Sequence, residues 1–546
     1  MSKKKKQKKK FIFVVGGVLS GVGKGVTTAS LGAIFRAKGF SVTALKADPY
    51  VNVDAGTMNP TEHGEVFVTS DGDETDQDMG NYERFLEVEL TSTNYMTTGR
   101  VYQQVIENER AMKYKGRCVQ VVPHIPEEIN RRILTAARTN NADITIIEIG
   151  GTVGEYENIL FLEAARRMRL AHPGDVSFVL VSYLPVPSHI GEMKTKPTQQ
   201  ASRLLNGAGI QPDIIIARST VGLDKERKEK LAVHCGVPKD HCISAPDVSS
   251  VYTIPRVMDE QHIGNKLLKT LGLRPRKTNL TRWNNLEKKI SQAKKEVSIG
   301  VVGKYFGSGG FTLSDSYISV IEAIRHAAWS FGVVPKLEWV DSEAFEDGKM
   351  QTKMLKRFDG IIVPGGFGTR GIEGIIQTIS YARKKHIPYL GICYGMQLAA
   401  VEFARNVLKK KDAHTVEVDD SAAHPIIHIN PYQEKHVQNN RYGGTMRLGA
   451  YDCTLEKGSQ VRQLYKKSVI SERHRHRYEF NNAYREAMNK AGMRVVGVNP
   501  ESDLVEIIEL NNHPFFVGAQ FHPEFMSKPL DPHPLFLGLV RAAIRK

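Results

Sequence analysis

Cysteine is scarce, with five residues in 546. So few exclude a disulfide framework and fit a reducing compartment, and no two stand at the spacing of a zinc site. Long apolar runs are missing too: no window reaches the roughly 18 apolar residues that a membrane-crossing helix needs. The first ten residues, MSKKKKQKKK, lead into Phe11–Val15, which runs straight into glycines and Ser20, so no signal peptide is expected and a cytoplasmic location is. The chain has no internal repeats and no intact RNA-binding signature, so no specific nucleic-acid partner is expected. Acidic residues are in deficit, 59 against 75 Lys and Arg, for a net charge of +16. Seven lysines between Lys3 and Lys10 carry much of that excess, and without them the balance is +9. The tail reads equally as a targeting signal, a polyanion-binding arm or a disordered solubilising extension. The remaining positive charge suits a protein that handles polyphosphates, and would also suit nucleic acid.

What is present is an ordinary globular composition, 41% hydrophobic and 25% charged, over a length that predicts roughly two to four domains. Apolar, β-branched runs recur at Phe11–Val15, Ser41–Leu45, Cys118–Val122, Ile144–Ile149, Val176–Val181 and Ile214–Ala217, with helical stretches such as Pro126–Ala137 and Ile159–Met168 between them. This predicts an α/β unit with a largely parallel sheet buried on both faces. Residues 272–296 are polar and basic, with an amphipathic piece near Trp283–Ala293, and read as a linker. A second α/β unit follows, with strands at Ser298–Val302, Gly360–Val363, Tyr389–Ile392 and Phe516–Gln520, a helix at Ser316–Trp329 and a closing helix at Leu535–Ile544. The expected division is a disordered tail over 1–10, a first domain over 11–271, the linker, and a second domain over 297–546.

Gly16–Gly25, GGVLSGVGKG, stands between the first strand and the small-residue run Thr27–Ala37, which reads as a helix. Strand, glycine-rich turn, lysine and helix is the order of a phosphate-binding loop. Glycines let backbone N–H groups approach an anion, the helix start adds donors and a positive dipole end, and Lys24 adds a mobile charge. The pattern is imperfect: Val18 stands where the first glycine should be, and Gly25 follows the lysine in place of Ser or Thr. A phosphate-free glycine turn is the plain alternative.

Pro388–Ala400, PYLGICYGMQLAA, is the most specific signal. A short strand runs into Gly391, Cys393 and Gly395 and then a helix, which places the thiol on a sharp turn like a nucleophile elbow. In QFHPEF, His522 and Glu524 stand two apart at the end of the strand Phe516–Gln520, a spacing that suits a carboxylate orienting an imidazole. Pro364–Gly371, PGGFGTRG, offers N–H groups for an oxyanion hole. A buried structural thiol is the competing reading of Cys393 alone. The three segments together resemble the class I glutamine amidotransferase domain, which hydrolyses glutamine to glutamate and ammonia. The resemblance implies Cys393 as nucleophile, His522 as base, Glu524 as orienter, Gly366 in the oxyanion hole, and Gln397 and Glu417 at the glutamine site.

In the first half, Lys46–Phe85 is too rich in Asp, Glu, Gly and Pro to be core. Lys46 ends a strand, where ligands of open α/β sheets bind. Asp76 and Asp78 follow, and Glu148 closes another strand before GGTVGE. Carboxylates at strand ends beside a phosphate loop suit Mg²⁺, although loop acids and helix caps would look alike for Asp76. Together with EIGGTVGE at Glu148–Glu155, GEMKTKPTQ at Gly191–Gln199, GGTMRLGA at Gly443–Ala450 and ERHRHRYEFNN at Glu472–Asn482, this stretch resembles the CTP synthase family over about residues 11–543.

That resemblance implies an amino-terminal P-loop NTPase-like, dethiobiotin-synthetase-like parallel-sheet domain joined to the amidotransferase domain. It implies amination of UTP to CTP with ATP and glutamine, through a 4-phosphorylated UTP, with Mg²⁺ as cofactor and GTP as allosteric activator. ATP would lie on Ser20, Gly21, Val22, Gly23, Lys24, Gly25, Val26 and Asp78; Mg²⁺ on Asp78 and Glu148; UTP on Ser20, Lys46, Lys194, Thr195, Lys196 and Gln199. Glu155, Tyr156 and Glu157 would contact CTP as feedback inhibitor, Arg370 would serve GTP activation, and Arg475 or Arg477 the glutamine carboxylate. A homotetramer, in some members a filament, is expected. Two other readings remain at this point: another P-loop amidotransferase such as a cobyrinate or cobyric acid amidase, and a structural, filament-forming or nucleic-acid-binding protein without turnover.

Overall fold

The computed structural model describes residues 8–189, 191–303, 307–308, 311–312, 314–429 and 446–546. Most of the lysine-rich tail and the start of the Gly443–Ala450 segment lie outside the described residues. The chain folds into two compact units. One is built from the chain up to Asp54 together with Asp78–Glu287, the other from Ala55–Gln77 together with Lys288–Lys546. No helix among the described residues is long and apolar enough to cross a membrane.

The first unit is built on seven strands: β1 (Lys10–Gly17), β2 (Val42–Asp48), β3 (Tyr95–Thr97), β4 (Ile144–Ile149), β5 (Val176–Tyr183), β6 (Ile214–Ser219) and β7 (Cys242–Pro246). Their order is β3-β2-β4-β1-β5-β6-β7, and all six neighbouring pairs are parallel. Near-continuous Val, Ile and Phe runs produce this because helices cover both faces of a parallel sheet. The order reverses beside β1, so the carboxyl ends of β1, β2 and β4 open at a switch point, where ligands of such sheets bind. β1 starts at Lys10, within the lysine run; its ammonium is buried 2.6 Å from Asp175.

Helix α1 (Lys24–Ala37) follows the glycine-rich turn, and α2 (Asp78–Leu86) lies against it. Two glycines on α1 permit the approach. A Cβ on Gly25 would lie 1.9 Å from Asp78 Oδ1, and one on Gly32 would lie 2.4 Å from Leu86 Cδ1. Seven residues, two turns, separate them, so both fall on one helix face and receive the first and last side chains of α2.

The run Cys118–Val122, expected as a strand, is not one. Residues 117–120 are irregular and a helix begins at Val121. The β-branched residues suggested a strand, but Cys118, Val121 and Val122 are exposed. The sheet-edge place beside β2 is taken by β3, where Tyr95, Met96 and Thr97 are buried. The amphipathic piece of the linker is a helix over Thr281–Gln292. Its Trp283 packs against Phe85, centroids 5.2 Å apart, and Tyr252, 6.2 Å apart.

The main sheet of the second unit has nine strands: β8 (Lys295–Gly303), β9 (Val333–Asp341), β10 (Gly360–Val363), β11 (Tyr389–Ile392), β12 (Arg447–Leu455), β13 (Val469–His476), β14 (Met493–Val498), β15 (Val505–Leu510) and β16 (Phe516–Ala519). Their order is β9-β8-β10-β11-β16-β15-β14-β12-β13. The five strands from β9 to β16 are parallel; the rest are antiparallel extensions. Apolar clusters fill both faces. The central neighbours β11 and β16 carry Cys393 and His522 just beyond their carboxyl ends. Residues Ala55–Gln77 are held to this unit by specific contacts. Phe67 packs on Phe525 with centroids 5.0 Å apart, Arg473 donates to the Val68 carbonyl at 3.1 Å, and the Ala450 N–H donates to the Ser70 carbonyl at 2.9 Å.

Candidate active sites

In the second unit Cys393 has φ 50° and ψ −99°, a strained conformation for a residue with a side chain. Two glycines make the turn possible: a Cβ on Gly391 would meet Gly395 C and Tyr389 Oη at 2.7 Å each, and one on Gly395 would meet the Val363 carbonyl oxygen at 2.2 Å. The Cys393 N–H donates to the Ala519 carbonyl at 2.7 Å, which ties the cysteine to the strand that leads into His522. Helix Tyr394–Asn406 starts directly after it, a place where a thiolate is favoured.

His522 Nδ1 and Glu524 Oε1 are 2.7 Å apart, both residues buried. A carboxylate can only accept, so Nδ1 carries the proton and Nε2 is left for the thiol. Nε2 has no partner at hydrogen-bonding geometry among the described residues, as is common before a substrate tightens a catalytic set. Burial pushes the imidazole pKa down, but Glu524 and the Cys393 sulfur more than offset this and bring it to about 10. The arrangement therefore favours a protonated imidazole. A His whose folded pKa lies above its unfolded value of about 6.5 contributes stability that is fully present below that value and lost as pH rises towards 10. The melting temperature is thus expected to fall between pH 7 and 10, and less steeply in His522→Gln; parallel slopes in calorimetry would contradict the pairing.

A cavity of about 450 Å³ opens over the thiol, lined by Gly366, Cys393, Gln397, Glu417, Arg477 and His522 among others, and by Arg475. The Glu417 carboxylate accepts from the Gly368 N–H at 2.9 Å, pinning the glycine-rich loop Pro364–Gly371 at that point. A Cβ on Gly365 would lie 2.8 Å from His522 Cε1, so the loop passes close over the base. Arg475 Nε donates to Glu74 Oε1 at 2.8 Å, so its charge is met by an acid from the Ala55–Gln77 segment. Gln397 Nε2 donates to the Tyr478 carbonyl at 3.0 Å. Arg370 is exposed, 3.5 Å from Glu343.

In the first unit the glycine-rich turn has Gly21 at φ 69° and Gly23 at φ 91°. Ser20 is exposed, Val22 buried, and Val26 partly so. Val18, at the place of the missing first glycine, holds φ 82°, which strains a β-branched residue. It is exposed, so Val18→Gly loses little burial. The relief of about 1–2 kcal/mol exceeds the entropic cost of glycine, about 0.5–1 kcal/mol. A slightly higher melting temperature is expected; a fall would show that Val18 packs more than it strains.

Lys24 Nζ donates to the Gly151 carbonyl at 2.8 Å, and burial pushes its pKa down. Gly16 makes room for it, since a Cβ there would lie 2.9 Å from Nζ. Lys46 is buried among three carboxylates: Asp78 at 2.5 Å, Glu148 at 3.0 Å and Asp48 at 3.6 Å. Register explains part of this, because Lys46 and Glu148 are direct partners on β2 and β4. Burial raises the Glu148 pKa to about 6 despite Lys46. Asp78 is held below its ordinary value, because although burial pushes it up, Lys46 outweighs this. Tyr82 donates its hydroxyl to Glu148.

Thr195 and Gln199 bond each other at 3.1 Å at the start of helix Lys196–Gly207. That helix reaches the phosphate loop, since a Cβ on Gly17 would lie 2.5 Å from Ala201 Cβ. Lys196 is exposed, and Lys194 is 2.7 Å from Glu192. Glu155 accepts from the Thr152 N–H at 3.0 Å and from its hydroxyl; Tyr156 and Glu157 are exposed.

Sequence reasoning did not single out Asp48, Glu74, Tyr82 or Gln520. Tyr82 had a usable signal, four residues after Asp78 on one helix and so on the same face. Glu74 had none, as its partner Arg475 is four hundred residues away.

Residues 10–273 match the family model described as CTP synthase N-terminus, and residues 312–542 match Glutamine amidotransferase class-I. The chain is 49% identical over 536 residues to a CTP synthase of Pyrococcus abyssi, covering 98% of each. It is 48% identical over 537 residues to a CTP synthase of Carboxydothermus hydrogenoformans, covering 98% of this chain and 99% of that one. Among solved structures it is similar to a Trypanosoma brucei CTPS glutaminase domain with bound acivicin, with 39% identity, a TM-score of 0.42, and coverage of 46% of this chain and 94% of that one. With both halves matched in order and nearly the full length aligned, the chain belongs to the CTP synthase family.

Proposed function

We propose that the chain divides the amination of UTP to CTP between its two halves, the amino-terminal one activating UTP with ATP and the carboxyl-terminal one releasing ammonia from glutamine. The observation that carries this reading is that the second unit holds a strained Cys393 and a buried His522–Glu524 pair on neighbouring strand ends, while the first holds a glycine-rich turn whose Lys24 lies near a buried acid–lysine cluster. Membership of the family supports the overall conversion and the use of ATP.

The C4 oxygen of uracil leaves poorly until it is phosphorylated. The glycine-loop N–H groups and Lys24 would hold ATP phosphates, with Ser20–Val26 forming a P-loop NTPase-like cradle. Asp78 and Glu148 suit Mg²⁺, since that ion takes one or two carboxylates and shares the rest of its shell with phosphates; Lys46 bonds both acids and holds their charges together. When bound, Mg²⁺ would neutralise charge on the transferring phosphoryl group. Lys46, Thr195, Lys196, Gln199 and Lys194 would hold UTP, with Lys194 turning from Glu192. Glu155, Tyr156 and Glu157 would meet the inhibitor CTP on the exposed loop beside them. In the glutaminase half, Cys393 attacks the amide carbon with its proton already held on His522 Nε2. The Gly366 loop holds the oxyanion, His522 protonates the leaving ammonia, and water cleaves the thioester to glutamate. Arg475 or Arg477, both lining the cavity, would take the substrate carboxylate. Arg370, exposed beside the oxyanion loop, would serve GTP activation. Exposed Ile106, Met112 and Val121 suit burial in a homotetramer, which sedimentation would detect.

The test is CTP formation from UTP, ATP and Mg²⁺, with glutamine or ammonium as donor. Both donors should yield CTP. Cys393→Ala should lower the glutamine-dependent rate by at least about 10³-fold and spare the ammonium-dependent one. No CTP from either donor would overturn the substrate assignment, and loss of both in the variant would overturn the division of labour.

A further inference from the structure

Two residues before His522, Gln520 is fully buried beyond the end of β16. Its Nε2 lies 3.7 Å from Cys393 Sγ, and its Oε1 accepts from Gln397 Nε2 at 3.3 Å. The amide orientations are fixed by what surrounds them. Gln397 Nε2 also donates to the Tyr478 carbonyl at 3.0 Å, and a carbonyl cannot donate. The Gln397 amino group therefore points at Tyr478 and Gln520, and only the oxygen of Gln520 can meet it. The other end of Gln520, directed at sulfur, is then a donor.

The backbone fixes the distance as well. The Gln520 N–H donates to the Glu506 carbonyl at 2.8 Å and the Cys393 N–H to the Ala519 carbonyl at 2.7 Å, so nucleophile and amide are held by adjoining backbone bonds. A further polar neighbour of the sulfur is the Arg475 carbonyl oxygen, at 4.0 Å. That oxygen suits a thiol, whose S–H can donate to it, and opposes a thiolate. Gln520 does the reverse: an N–H donor is worth more to S⁻ than to S–H.

We propose that Gln520 is a thiolate-stabilising residue of the glutaminase centre, donating Nε2–H to the Cys393 sulfur, with Gln397 as the positioning residue that fixes its orientation. Gln520 transfers no proton. The thiol proton goes to His522, the S–C bond forms, and the donor bond is recovered when thioester hydrolysis returns the sulfur as thiolate. The inference rests on the Cys393–His522–Glu524 reading, and the experiment separates the two.

The full chain, Q520M and Q520E are alkylated with iodoacetamide between pH 5 and 10. Modification is followed at the Cys393 peptide by mass spectrometry, because Cys118 is exposed and would otherwise dominate. Q520M removes the donor, and the near-isosteric Q520E keeps the shape and places a carboxyl beside the sulfur. The apparent thiol pKa is expected to rise by about one unit in Q520M, roughly a tenfold loss of thiolate near neutral pH, and further in Q520E. In glutamine hydrolysis kcat falls and KM changes little. Should Q520M fail to fold, the Q520E profile decides alone. An alkylation profile that matches the unsubstituted chain, with KM raised, would overturn the proposal and leave Gln520 as mere support for Gln397. Glutamine hydrolysis that survives Cys393→Ala would instead overturn the triad on which the proposal stands.

Discussion

Lys46→Met is expected to abolish CTP formation with either nitrogen donor and to unfold the first unit at a much lower temperature. The ammonium is buried within 3.6 Å of Asp48, Asp78 and Glu148, and methionine fills much the same volume without the charge. Removing one partner of a buried ion pair costs about 3–5 kcal/mol, because the remaining charge is stranded; here three acids are left to repel one another, with Lys24 as a more distant counter-charge. At about 2–4 °C per kcal/mol for a unit of this size, scanning calorimetry should register a fall of about 10 °C. Activity should be lost even at temperatures where the variant is folded, since Asp78 and Glu148 would no longer be held at a common centre. A variant that melts within a degree or two of the unsubstituted chain would mean that solvent reaches these acids, and would count against the cluster as the proposed Mg²⁺ site.

The same cluster marks where the sequence was legible and where it was not. Local order sufficed for the glycine-rich turn before α1, the cysteine elbow and the histidine–glutamate pair, because each is a strand end followed by a turn whose geometry only certain residues tolerate. Gly391, Gly395 and Cys393 announce their turn within five residues. The inner parallel strands were legible for the same reason, being unbroken apolar runs, but the edge strands β3, β7 and β9 were not singled out. The antiparallel strands β12 to β15 were missed, since alternating polar residues such as Arg473 and Glu506 hide a buried position that makes sense only once Arg447 and Glu506 are 2.6 Å apart. Cys118–Val122 failed in the opposite sense, having strand composition but no neighbour to pair with. Long-range partnerships left no trace at all: Glu74 with Arg475, or the assignment of Ala55–Gln77 to the second unit, follow from packing between segments hundreds of residues apart.

Gly25→Ala should give the second large effect, and it explains a departure from the usual phosphate-loop pattern. The residue after the lysine is ordinarily Ser or Thr, whose hydroxyl serves Mg²⁺. In this chain a Cβ at that position would lie 1.9 Å from Asp78 Oδ1 and 3.0 Å from Oδ2, so the Asp78 carboxylate already occupies the space of the missing side chain. An oxygen donor arrives from α2 where another family would grow one from α1. Alanine at 25 must push Asp78 off Lys46, and the ATP-dependent step should fall by more than about 100-fold, the loss attached to misplacing a reacting group by about 1 Å. Stability should suffer far less, because the atoms displaced are the tip of a short side chain rather than backbone. Gly32→Ala is the control. It presses on Leu86 at the other end of the same helix contact, with a Cβ 2.4 Å from Cδ1, and should cost stability, about 1–3 kcal/mol for overpacking, with a smaller loss of turnover. If both substitutions lowered turnover and melting temperature in the same proportion, Asp78 would be a packing residue of the α1–α2 contact and not a ligand.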